Sequence, residues 1–83
     1  MAKLSIRHHE RAGGHPHRWH VFLHGREEPL RVELPPGERE KLDISDDEIH
    51  TLVPEALNRY VEDQEPDRDY DAPVRLMQTH FIA

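Results

Sequence analysis

The chain has 83 residues, 35% hydrophobic and 34% charged, with a formal net charge of −6 at pH 7. That is one domain at most, residues 1–83, with a core burying only about 60–65% of the surface its unfolded chain exposes. Cysteine is absent, which excludes disulfides, thiolate zinc sites, iron–sulfur clusters and cysteine nucleophiles.

The elements follow in chain order. Leu4 and Ile6 alternate with Lys3, Ser5 and Arg7, so residues 3–9 read as a half-buried strand. Residues 10–16 form a loop, in which Gly13-Gly14 supplies the positive φ of a hairpin connection. Residues 17–24 form a second strand, with Trp19, Val21 and Leu23 on one face and His20, Phe22 and His24 on the other. Gly25-Arg26-Glu27-Glu28-Pro29 is the second turn. Leu30, Val32 and Leu34 mark a third strand, ended by Pro35-Pro36-Gly37 because proline cannot donate to a ladder. Leu42 and Ile44 flank Asp43 in a short extended segment.

A helix follows, with Ser45 as N-cap and Glu48 completing a capping box. Ile49, Leu52, Val53, Leu57, Tyr60 and Val61 form one apolar stripe. Pro54 is expected to kink or split it, because the His50 carbonyl loses its donor. Residues 62–71 read as a polar loop and 74–79 as a fourth strand. The fold expected is α+β, a small β-β-β-α-β domain. Its antiparallel meander carries one helix packed on one face, and the last strand adds to the sheet. The expected core is Leu4, Ile6, Trp19, Val21, Leu23, Leu30, Val32, Leu34, Ile49, Val53, Leu57, Tyr60 and Val61.

Charge is unevenly spread: residues 1–34 carry a net +2 and residues 35–83 a net −8. An acidic balance argues against nucleic acid as a partner, whose affinity comes from neutralised phosphates. It favours a basic protein partner, steered by complementary potential, or self-association as a homodimer. Ser5 and Ser45 are the only serines, and neither sits in a nucleophile-elbow sequence. No apolar run approaches the ~18 residues of a membrane span. No signal peptide is expected before Arg7-His8-His9, and the expected location is the cytoplasm.

Six of the eight histidines lie in the first half of the chain. His15-Pro-His17 points two imidazoles the same way along an extended segment, with His8 or His9 across the hairpin as a third ligand. That set suits zinc, nickel or copper. Asp67, Asp69 and Asp71 repeat like the start of a calcium loop, but Ala72 and Gln78 stand where glycine and glutamate are needed. His50 lies near Asp46 and Asp47, in a cap-adjacent setting. Phe22, between His20 and His24, marks an interaction surface on the face away from Trp19, with Phe81 or a second subunit over it. The element order, with its Gly-Gly hairpin, capped helix and acidic loop, resembles in layout alone the partial RNase-H-like module of HicB-type antitoxins. The glycine- and cysteine-containing signature of those proteins is missing, so neither residues nor function carry over.

The expected function is therefore a small, non-enzymatic interaction or accessory module of bacterial type, with no cofactor. The alternative is a histidine-based transition-metal-binding protein.

Overall fold

The computed structural model describes residues 4–63 and 72–82. Three strands, β1 (Ile6–Arg11), β2 (Arg18–Leu23) and β3 (Leu30–Glu33), form an antiparallel meander. Two helices follow, α1 (Pro36–Glu40) and α2 (Asp46–Glu62), then the short strand β4 (Val74–Arg75). The sheet order is β1-β2-β3-β4. This is the expected α+β domain, but its sheet is mixed, because β4 pairs with β3 in parallel. A parallel neighbour requires a crossover, and the helical segment supplies it.

The turns follow glycine chemistry. Gly13 and Gly14 have φ of 59° and 77° in a 3-10 turn, Ala12–Gly14, that joins β1 to β2. Beyond it, β1 contains a bulge. Ile6 pairs with Leu23 and His8 with Phe22, so Arg7 is the extra residue. Simple alternation from Leu4 and Ile6 would turn His8 and Glu10 toward the helix. The bulge turns His9 and Arg11 there instead, opposite Val21 and Trp19.

Helix α2 lies over the sheet face that carries Trp19, Val21, Leu30, Val32 and Val74, and it contributes Ile49, Val53, Ala56, Leu57, Tyr60 and Val61 to the core. Leu34, Leu42, Leu76 and Phe81 complete it. Leu4, Ile6 and Leu23, expected inside, are only half-buried at its margin. Ser45 caps α2 by accepting from the Glu48 N–H at 3.1 Å.

Several expected elements need correction. Pro54 does not split α2, which runs unbroken through it. Pro35-Pro36-Gly37 ends β3 but also starts α1, because the fixed φ of Pro36 suits a first helical position. The 42–44 segment forms no strand; Arg39 pins it, donating to the Leu42 and Ile44 carbonyls at 3.1 and 2.9 Å and to Asp46 Oδ1. The last strand spans two residues rather than 74–79. Gln78–Phe81 closes instead into a 3-10 turn, where His80 Nδ1 accepts the Met77 N–H at 2.9 Å. The Asp67, Asp69 and Asp71 repeat lies outside the described residues.

Candidate functional site

The helix covers one side of the sheet, and the strand registers determine what the other side carries. Three rows of side chains cross it. His8 pairs with Phe22; Glu10, His20 and Arg31 form the second row; Arg18, Glu33 and Arg75 form the third. Four arginines (Arg7, Arg18, Arg31, Arg75) face two glutamates on this surface. With histidines neutral that is a balance of +2, in a chain of net −6.

Phe22 is half-buried by its neighbours rather than by a second layer of structure. The His8 ring stacks on it at 5.6 Å between centroids, and the Arg7 guanidinium lies 5.8 Å from its ring centre. Both contacts use the ring's electron-rich face. At the other end Glu33 gathers two arginines. Arg75 Nε donates to it at 2.9 Å, and Arg18 Nε lies 3.9 Å away. Two adjoining hollows of about 290 Å³ each open here. One is bounded by Ala12, Arg18, His20, Arg31 and Pro73; the other by His15, His17, Arg18, Pro35 and Arg75.

The predicted interaction residues Phe22, His20 and His24 lie on β2 and just beyond it. His24 is exposed at the strand end, and Phe22 and His20 are half-buried. Phe81 does not cover Phe22, because it is buried in the core. The predicted metal residues do not converge. His15 and His17 adjoin, with ring centroids 5.8 Å apart, but His15 Nδ1 is occupied by the His17 N–H. The hollow they line also holds Arg18 and Arg75, whose charges oppose a dication, and its one carboxylate, Glu33, already accepts from Arg75. His8 is held on Phe22, and the bulge turns His9 to the opposite side of the sheet. Among the described residues, no group of three or more histidine, aspartate or glutamate side chains is arranged to hold a metal ion.

That opposite side holds a second polar cluster. Proline at 54 leaves the His50 carbonyl without its intrahelical donor, and His9 Nε2 donates to it at 2.9 Å. Trp19 Nε1–H donates to His50 Nδ1 at 3.1 Å. Indole can only donate, so the His50 proton sits on Nε2. The His9 and His50 rings lie 4.6 Å apart, centroid to centroid. Arg11 reaches the Asp46 carbonyl at 3.3 Å and Asp47 Oδ1 at 3.2 Å. Burial pushes the His50 pKa below its ordinary 6.5; His9 and Arg11 push the same way, and Asp47 opposes them. At the far end of α2, burial also lowers the His80 pKa against the pull of Asp63.

The sequence reading missed the arginine rows because facing residues emerge only once register is known; the alternation of Arg18, His20 and Phe22 was the available signal. It missed the bond from Trp19 to His50, which no local pattern announces. Comparison with protein-family models, curated proteins and solved structures gives no match, and the layout resemblance to antitoxins gains no support.

Proposed function

We propose that this chain is a small, cytoplasmic, non-enzymatic interaction module that docks an acidic segment of a protein partner on the uncovered face of its sheet. The observation that carries the reading is the segregation of charge and aromatic surface. Phe22 and four arginines occupy one face, while the rest of the chain is strongly acidic. Aromatic and arginine side chains are the groups that most often anchor protein interfaces. Complementary potential would steer an acidic partner to this face and repel it from the helix side. Edge-to-edge pairing through β1 is disfavoured, because its bulge and charged residues blunt that edge.

The test is a titration of the 15N-labelled chain with acidic, aromatic-containing peptides at low and high salt. Binding should shift the amides of β1, β2 and β3 around Phe22 and weaken with salt. Phe22→Ser and the pair Arg18→Ala/Arg31→Ala should each weaken it at least several-fold. Shifts confined to α2, or unchanged affinity in both variants, would refute the reading.

A further inference from the structure

The geometry points to a second, independent device: the contacts of His50 form a proton-operated latch that holds the first two turns of α2, residues 46–53, on the sheet. Three features set it up. Pro54 removes the backbone bond that would tie His50 to the second half of the helix. The replacement donor, His9, belongs to β1, so the first half of α2 is fastened to the sheet rather than to its own helix. The second tie through His50 is the Trp19 Nε1–H donated to His50 Nδ1, and it exists only while Nδ1 lacks a proton.

Protonation of His50 turns Nδ1 from acceptor into donor. It then faces the Trp19 N–H with nothing to accept it, a lost bond and an unsatisfied group together. The groups around the new charge mostly oppose it. His9 and Arg11 from β1 are cationic or proton-binding, and Trp19 from β2 is uncharged. Asp47 on α2 attracts it, but already accepts from Arg11. Asp46 is held by Arg39 at 3.0 Å. The helix half relieves the penalty by lifting off, at the cost of exposing Ile49 and Val53. Lifting exposes His50 to water and so favours its charged form, whereas burial in the seated state holds its pKa below the ordinary 6.5. The seated state is therefore fully favoured above about pH 6.5, and the preference is lost as pH falls through the depressed value.

The experiment uses the full chain, with imidazole and indole 15N resonances and amide exchange followed from pH 7.5 to pH 4.5. At pH 7.5 His50 Nδ1 should be the unprotonated nitrogen. Its protonation and the movement of the Trp19 indole N–H signal should share one midpoint below 6.5. Exchange of the amides of residues 50–53, corrected for intrinsic rates, should rise by up to about tenfold per pH unit in that window, one proton's worth. The amides of residues 56–61 should lag behind. His50→Asn keeps an oxygen near the Nδ1 position to accept from Trp19 but does not titrate, so it should flatten both the indole shift and the slope. His80→Asn should leave both in place. A proton on Nδ1 at pH 7.5, which needs no variant to detect, would overturn the latch. So would an unchanged slope in His50→Asn, or both helix halves accelerating together.

Discussion

Before Pro54, α2 reaches the sheet through Ile49 and Val53, but also through the polar contacts of His50 with His9 and Trp19 and of Asp47 with Arg11. After Pro54, Ala56, Leu57, Tyr60 and Val61 lie in the core. The polar contacts there sit at the rim: Asn58 accepts the Leu4 N–H at 2.8 Å, and Arg59 donates to the His80 carbonyl at 2.7 Å. Each half carries a histidine neighbour whose pKa burial lowers. At His50 Arg11 adds to the lowering and Asp47 opposes it; at His80 Asp63, 3.8 Å away, opposes it and Arg59 adds to it. One helix therefore has an apolar anchor at one end and a titratable fastening at the other.

The largest test of that contrast is Leu57→Ala. Leu57 is fully buried in the anchored half, and such a truncation costs about 2–5 kcal/mol. In a domain this small, that should remove most of the stability, seen as a large fall in the urea midpoint by Trp19 fluorescence. The proline comes next. A proline in a helix interior costs about 3 kcal/mol, so Pro54→Ala should stabilise the chain, but by less than that because His9 already serves the orphaned carbonyl. In a His9→Ala background the same change should gain about 1 kcal/mol more, one hydrogen bond's worth. Equal gains in both backgrounds would show that the His9 bond contributes nothing.

Ser45→Ala should cost roughly 1 kcal/mol by exposing the first-turn N–H groups, read as a lower melting temperature. Arg11→Ala should cost less, within about 0.5 kcal/mol for its ion pair, because Asp47 is 97% exposed there. A larger loss would show that Arg11 supports the helix start mainly through the Asp46 carbonyl.

Much of the layout is legible in the chain. Alternation places Trp19, Val21, Leu30 and Val32 on the inner face, and Ser45 with the apolar stripe places α2. The bulge is not legible, because Arg7-His8-His9-Glu10-Arg11 is polar throughout, and alternation of apolar residues cannot say which histidine turns inward. The bulge also separates two of the four proposed metal ligands, with His8 on the outer face and His9 turned toward the helix. Helix α1 hides behind Pro35-Pro36-Gly37, which serves equally as a strand stop and a helix start. The tail misleads because Val74 and Leu76 alternate like a strand, while His80 folds the chain back at Met77. Phe22 is legible on the outer face, but the arginines around it depend on partners brought in from β3 and β4.

The parallel pairing of β4 sets an order in time. The meander assembles from chain neighbours, whereas Glu33 and Arg75 meet across 42 residues. On a ribosome adding about 5–20 residues per second, that interval lasts roughly 2–8 s. Throughout it the outer edge of β3 has no strand beside it, and Val32 lacks its partner Val74. The nascent protein is therefore open to mispairing with other chains along β3 for that whole interval.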